Sequence, residues 1–252
     1  MWGAWHGGQP SAAYRWRVGG TGEWAPDAED WVRWARKPDH DHYWSYRDAF
    51  FELLPRPGAT AVEIGCGEGR VSRDLAALGH RVVGVDSSSA LVRSARAADP
   101  HGSYVVADAA AVPCAAASID LAVAYNSLQV VSDMFGTVRE AARLLRSGGR
   151  LCACISHPVT DIGRFVEVGG REVFVLRQPY FESQRVDDVV EMDGLPMRFR
   201  GWTYTLEDYC AALESAGLVL ERVREPRPGG ASERFAKWRR VPLFLFFRAH
   251  KP

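Results

Sequence analysis

Residues 60 to 69 read Thr60-Ala61-Val62-Glu63-Ile64-Gly65-Cys66-Gly67-Glu68-Gly69, a β-branched run that ends in an acid and three alternate glycines. The spacing predicts a buried strand, a Gly-rich turn and then a helix over Arg70 to Leu78, closed by Gly79. Glycines in such a turn accept positive φ and let backbone approach a ligand closely. The following helix N-terminus presents unpaired N–H groups to an anion. A dinucleotide fingerprint G-x-G-x-x-G would need glycine where this chain has Arg70, and the acid two residues before the first glycine is foreign to it. The turn therefore favours a ligand that carries a carboxylate and no phosphates.

The same alternation continues downstream. Arg81 to Val85, Ser103 to Ala107, Ile119 to Tyr125 and Arg150 to Ser156 read as strands. Helices are expected over Ser89 to Ala98 and Phe135 to Leu145, the second closed at Gly148-Gly149. Strands alternating with helices imply a parallel sheet covered on both faces. After Ser156 the alternation stops. Residues 157–204 carry β-branched and aromatic residues with hairpin punctuation at Gly169-Gly170 and Asp193-Gly194, so a mostly β insertion is expected there. Leu206 to Ser215 restores a helix, and Leu218 to Val223 and Pro242 to Ala249 supply two last strands. The final one follows a Pro/Gly-rich loop, which suits an antiparallel partner.

With 252 residues, 47% of them apolar, the chain can bury one substantial core with added segments. We expect an N-terminal lid or substrate segment over residues 1–54, rich in tryptophan and helical in part. A ligand-binding domain is expected over residues 55–252, with 157–204 as its substrate-side insertion. Lys plus Arg and Asp plus Glu are equal at 31 each, so no overall field gathers nucleic acid or an acidic membrane. No apolar run approaches membrane-spanning length and no signal-peptide pattern opens the chain, which predicts a cytoplasmic protein. The five cysteines form no CxxC pair and read as reduced, mostly buried thiols. His40-Asp41-His42 is read as a solvated turn and not as a metal site, because adjacent residues diverge. Arg234, Lys237, Arg239 and Arg240 around Trp238 are read as a solvated loop with buried stems.

Two further acids fall at strand ends. Asp86, followed by Ser87, ends the second strand, where a carboxylate can accept both hydroxyl protons of a ribose. Asp108 follows the third strand, where it can meet an adenine amino group while the Ala109 N–H meets a ring nitrogen. The fourth strand ends in Tyr125-Asn126-Ser127. Taken in order, these residues resemble the class I S-adenosylmethionine (SAM)-dependent methyltransferase superfamily, of the small-molecule type. The likeness runs from about Leu53 to Ser156 and resumes from Thr205 to Lys251, and it includes the Gly148-Gly149 turn before strand five. It implies a Rossmann-like α/β fold with a seven-stranded, mostly parallel sheet and an antiparallel last strand. It also implies SAM as cofactor, S-adenosylhomocysteine as product, and binding by Glu63, Gly65, Cys66, Gly67, Asp86, Ser87, Asp108, Ala109, Tyr125 and Asn126.

The activity so implied is methyl transfer to N or O of a small metabolite, in specialised metabolism, with no nucleic-acid or membrane partner. RNA or protein methylation and a non-catalytic SAM-binding role are the alternatives. His157, at the end of strand five, is the candidate general base for a hydroxyl acceptor. Tyr46 and Trp44, on the helix before strand one, are expected over the cofactor's methionine end. Tyr14, Trp16, Tyr180 and Trp202 are expected to enclose the acceptor, with Tyr43, Phe181 and Tyr204 as further rings able to do so.

Overall fold

The computed structural model describes residues 25–229 and 233–252. After a short 3-10 turn come α1 (Ala28–Arg36) and α2 (Tyr43–Phe51). The alternating part follows as β1 (Thr60–Ile64), α3 (Arg70–Ala77), β2 (Arg81–Asp86), α4 (Ser89–Ala98), β3 (Ser103–Val106), β4 (Ile119–Tyr125), α5 (Met134–Leu144) and β5 (Leu145–Ser156). A one-turn helix α6 (Pro158–Asp161) opens the insertion, which forms two hairpins, β6 (Gly163–Val168) with β7 (Arg171–Leu176) and β8 (Arg185–Met192) with β9 (Leu195–Trp202). The chain closes with α7 (Leu206–Ser215), β10 (Val219–Arg224), a 3-10 segment Glu233–Arg239 and β11 (Phe244–His250).

Local chemistry sets these boundaries. Ser88 and Asp133 cap α4 and α5 by accepting the Leu91 and Gly136 N–H groups. Thr205 and Asp208 form a reciprocal capping box on α7. Both hairpins turn where the sequence predicts, and Asp193 and Gly194 each take the positive φ that a tight two-residue hairpin turn requires.

Seven strands form one sheet in the order β10-β11-β5-β4-β1-β2-β3. Only β11 runs against its neighbours, pairing antiparallel with both β5 and β10. The expected seven-stranded, mostly parallel α/β sheet with an antiparallel last strand is therefore present, with an aromatic helical segment before it and a β-rich insertion after strand five. Strand order reverses at the β1/β4 pair, where open α/β sheets leave a crevice outside the carboxyl ends of the strands.

Because side chains alternate across a strand, the sheet has two cores. Val62, Ile64, Ala122, Ala124, Leu151, Ala153 and Ile155 face α5 and α7. Ala61, Leu121, Val123, Cys152 and Cys154 face α2 and α3 together with Tyr46, Phe50 and Phe246. The alternating pair Cys152 and Cys154 is buried, as is Cys66, whereas Cys210 is exposed. No helix among the described residues is long and apolar enough to cross a membrane.

One charged side chain intrudes on the second core. Glu63 shares the face of Ala61 and is 2% exposed, with the Ser72 hydroxyl donating to its carboxyl group. Burial, against the opposing effect of the Ser72 hydrogen bond and with help from the Asp86 and Glu68 charges, pushes its pKa up to about 8. A carboxyl group whose pKa rises on folding stabilises the fold at low pH and loses that contribution as pH climbs through the folded value. Glu63→Gln is therefore expected to melt like the native protein at pH 5 and above it at pH 9, by scanning calorimetry without added ligand. An equal difference at both pH values would contradict this account.

Candidate functional site

The Gly-rich turn is fixed to the end of β2. The Val85 carbonyl accepts from both Gly65 N (2.8 Å) and Cys66 N (2.9 Å). Asp86 then binds backbone with each carboxylate oxygen: Oδ2 accepts from Gly67 N and Oδ1 from Ser88 N, both at 2.8 Å. These bonds need positive φ at Gly65, Gly67 and Gly69. Space demands glycine as well, since a Cβ on Gly65 would lie 2.5 Å from the Ser127 Cβ and one on Gly67 2.8 Å from the Trp31 Nε1. Burial raises the Asp86 pKa, and the two backbone N–H bonds oppose that rise.

Above this turn lies a cavity of about 710 Å³. Its wall over β1 to β4 includes Glu63, Gly65, Cys66, Gly67, Asp86, Ser87, Asp108, Ala109, Tyr125 and Asn126, the same residues that the sequence pattern marks. Asp108 accepts from the Ala110 N–H at 2.8 Å, a tight turn that holds its carboxylate at the rim. Asn126 sits at φ +53°, a left-handed conformation that asparagine tolerates better than most residues. The donor set suits SAM. Each Asp86 oxygen already holds one backbone N–H and retains a lone pair for a ribose hydroxyl. The carboxylates of Asp86 and Asp108 would repel phosphates but not a phosphate-free nucleoside that carries a cation.

A roof of aromatic and ionic contacts covers the turn. Glu68, itself buried, is held by Arg36 Nε of α1 at 2.8 Å and by Arg73 Nη2 of α3 at 2.8 Å. Arg70 pairs with Asp41 at 2.7 Å and its guanidinium lies 4.2 Å from the Tyr43 ring centroid and 5.4 Å from that of Trp31. Trp34 and Trp31 meet Phe199 of β9 edge-on, with centroids 5.7 and 6.5 Å apart. Arg200 of β9 reaches Asp27 at the start of α1. The insertion and the segment before β1 thus meet over the Gly-rich turn.

Several expected site residues lie elsewhere. Tyr46 is fully buried under α2, with its ring 4.9 Å from Phe244, and Trp44 stacks beside Arg47 outside the cavity. The reason is helix direction. Because α2 leads into the start of β1 with Tyr46 turned into the core, only its N-terminal end, His42 and Tyr43, lines the cavity.

His157 also points away. Its Nδ1 accepts from the Val159 N–H (3.2 Å) as a cap of α6, which leaves the Nε2–H to donate to Glu225 Oε1 (3.0 Å). Ser156, its neighbour on an extended stretch, takes the cavity side instead. Tyr180 receives the Leu206 N–H at 3.1 Å and packs on Phe181, which is 82% exposed; neither lines the cavity. Tyr204 packs on Tyr209 in the core. Trp202 does line the cavity, and Tyr14 and Trp16 lie outside the described residues.

The expectation of a solvated turn at residues 40–42 fails. His40 and Asp41 are buried, His40 by an edge contact with Trp34 and a 3.0 Å bond to Asp193. Among the described residues no three His, Cys, Asp or Glu side chains gather as a metal site. Lys237, Arg239 and Arg240 are exposed, as a solvated loop requires, and Lys237 and Trp238 also border the cavity, where Trp238 packs on Phe165 of β6. Sequence reasoning also passed over Gln129 and Asp161, both on the wall. Asp161 follows strand five by five residues, a signal that was present but eclipsed by the histidine.

Comparison with known proteins agrees with this geometry. Residues 62–153 match the family model described as a methyltransferase domain. The chain is 31% identical over 172 residues to a ubiquinone biosynthesis O-methyltransferase of Methylobacterium sp. (strain 4-46), covering 66% of this chain and 62% of that protein. It is 35% identical over 105 residues to a malonyl-[acyl-carrier protein] O-methyltransferase of Enterobacter lignolyticus (strain SCF1), 41% of this chain and 42% of the relative. The chain thus spans less than two thirds of the length of either relative. Among solved structures, a SAM-dependent methyltransferase from Mesorhizobium loti superposes with a TM-score of 0.68 at 25% identity, over 84% of this chain and 99% of that one. By its sheet order, its strand-end acids and these likenesses, the chain resembles the class I SAM-dependent methyltransferases, with residues 62–153 matching a methyltransferase domain.

Proposed function

We propose that this protein transfers the methyl group of SAM to an oxygen or nitrogen of a small metabolite, in specialised metabolism, and that the ten residues along β1 to β4 hold the cofactor. The observation that carries this reading is the shared wall: the Asp86 carboxylate, anchored to the Gly-rich turn, borders a cavity that continues past β4 into an aromatic chamber. In this reading residues 1–54 act as a lid and 157–204 as the acceptor-side cover of the domain 55–252. The relatives support a small acceptor, since their names refer to ubiquinone biosynthesis and to malonyl-[acyl-carrier protein]. A cytoplasmic setting suits five free cysteines.

When bound, SAM supplies an activated methyl group on a sulfonium, so the protein's share is alignment and exclusion of water. Asp86 accepts hydroxyl protons of the ribose, and Asp108 with the Ala109 N–H meets the base. Tyr125 and Asn126 floor the centre of the cavity. The rings of Trp31 and Tyr43 roof the site, with the Arg70 guanidinium over them. Water is kept out by the α1–β9 contacts described above.

Asp86→Ala removes charge-assisted hydrogen bonds from a buried site and is expected to weaken SAM binding about tenfold or more by calorimetry. Unchanged affinity would refute the cofactor assignment. Release of S-adenosylhomocysteine across a panel of amines, phenols and sugars tests catalysis itself. Tight binding without turnover would favour the non-catalytic alternative, and turnover confined to RNA would overturn the small-molecule acceptor.

Roof contacts generate a separate expectation. Glu68→Gln weakens the ties from Arg36 and Arg73, so amide exchange over α1 should quicken while β1 and β4 stay protected. Exchange that is unchanged over α1 would show that the ion pairs do not hold the roof.

A further inference from the structure

With His157 turned away, the acceptor side of the cavity holds a different candidate for proton removal. Asp161 ends α6, one turn beyond β5, and lines the cavity with Ser156 and Gln129. Ser156 shares the cavity wall with Asp161, and its hydroxyl favours the charged form of the carboxyl group. Gln129 Nε2 in turn donates to Ser156 Oγ at 3.4 Å and to Asn126 Oδ1 at 3.5 Å. The string therefore runs from the end of β4, where the cofactor wall stops, across to β5.

Each part is fixed from behind. The Gln129 carbonyl accepts the Trp202 N–H at 2.8 Å, and a Cβ on Gly201 would lie 2.6 Å from that same oxygen. Thr160 Oγ1 donates to the Pro242 carbonyl at 2.5 Å and His157 N to the Leu243 carbonyl at 2.9 Å, which draws the segment before β11 alongside α6. The buried Gln129 Oε1 has no protein partner. An unpaired buried carbonyl at a cavity wall is costly unless a ligand donates to it.

We propose that Asp161 takes the proton of a hydroxyl acceptor, with Gln129 and Ser156 as its positioning residues. This rests on the methyl-transfer reading above and narrows the acceptor to a hydroxyl compound with a flat apolar body. Phe235, Trp238, Leu243, Phe244 and Trp202 supply apolar walls around the polar string. From β2, which carries Asp86, to β5 is three strand spacings, about 14 Å, enough for an extended nucleoside cofactor to end beside the string.

The step balances without an oxidant or reductant. The acceptor oxygen forms a bond to the methyl carbon, and the sulfur–methyl bond breaks with its electron pair going to sulfur. The O–H bond breaks and its proton passes to the Asp161 carboxylate, which later returns it to water. A cationic sulfonium thus becomes a neutral thioether.

Burial pushes the Asp161 pKa up to about 7, and the Ser156 hydrogen bond opposes that rise. The groups around it explain why no cation reverses the effect of burial. Tyr209 of α7 is a deeply buried neutral phenol whose own pKa is raised by burial and, to a lesser extent, by the Asp161 charge. Lys237 of the 233–239 segment turns toward the Phe165 and Trp238 rings, and His157 is occupied by Glu225. Gln129, Asn126, Leu243 and Phe244 are uncharged. Only the carboxylate form accepts a proton, so activity toward hydroxyl acceptors should rise with pH through about 7 and level off above it.

The test uses the full chain with SAM and matched probes, substituted phenols and catechols beside anilines of the same shape. Phenols are expected to turn over with the acid limb just described. Asp161→Asn should lower their rate about 100-fold or more and abolish the limb, with calorimetric SAM affinity unchanged and the anilines much less affected. Ser156→Ala, which removes a hydrogen bond to the charged form, should move the limb to higher pH.

An acceptor-free readout accompanies it: carbon-13 carboxyl titration of the S-adenosylhomocysteine complex should give Asp161 a midpoint near 7, assigned by its loss in Asp161→Asn. A midpoint below 5, phenol turnover unaltered in Asp161→Asn, or turnover of anilines alone would overturn the proposal. Failure of every probe despite SAM binding would overturn both the proposal and the methyl-transfer reading. A native protein that binds no SAM would overturn the methyl-transfer reading and, with it, the proposal.

Discussion

Two peptide N–H groups of the Gly-rich turn share one carbonyl oxygen, that of Val85, and a third binds the Asp86 carboxylate one residue later. This attachment of the β1 turn to the end of β2 is the constraint on which the rest of the site depends. It forces positive φ at three alternate positions, which excludes side chains there on conformational grounds. It also spends one lone pair of each Asp86 oxygen on backbone, which orients the remaining ones toward the cavity. A single local geometry thus opens the floor of the site and aims its principal acid.

Much of the surrounding charge serves that arrangement. Glu63 is buried and Asp86 half-buried, and both carry raised pKa values, chiefly because removal from water penalises the carboxylate. Glu68, close to them in sequence, is compensated by Arg36 and Arg73 from two different helices. The ion pairs therefore do more than neutralise an acid: they bring α1, and with it Trp31 and Trp34, down over the turn. Burying a charge is tolerated where opposite charges and hydrogen bonds answer it. Here the partners of Glu68 come from the roof, and those of Glu63 and Asp86 from the floor.

Acceptor chemistry is decided at a distance from this motif. His157 and Ser156 are neighbours, yet strand alternation and the cap on α6 turn the imidazole to Glu225 and the hydroxyl to the cavity. The insertion and the segment before β11 then converge on Ser156, Gln129 and Asp161 from opposite sides. Residues separated by more than a hundred positions, such as Gln129 and Leu243, become walls of one chamber.

The sequence by itself determined the sheet, because hydrophobic period, turn glycines and caps are local signals that act within a few residues. It marked the hairpins at Gly169-Gly170 and Asp193-Gly194, and the residues of the cavity wall over β1 to β4, since each of those sits at or just after a strand end. It did not determine which aromatic rings face the cavity. Tyr43, Trp44 and Tyr46 are alike in composition, and only the direction of α2 against the sheet separates them. Nor did it reveal that His40 and Asp41 are buried, or that Lys237 and Trp238 line the site, because those outcomes follow from packing against Trp34 and Phe165, which are remote or belong to other elements. Tertiary structure alone put Ser156 and Asp161, and not His157, on the cavity wall, through a backbone cap and one step of strand parity.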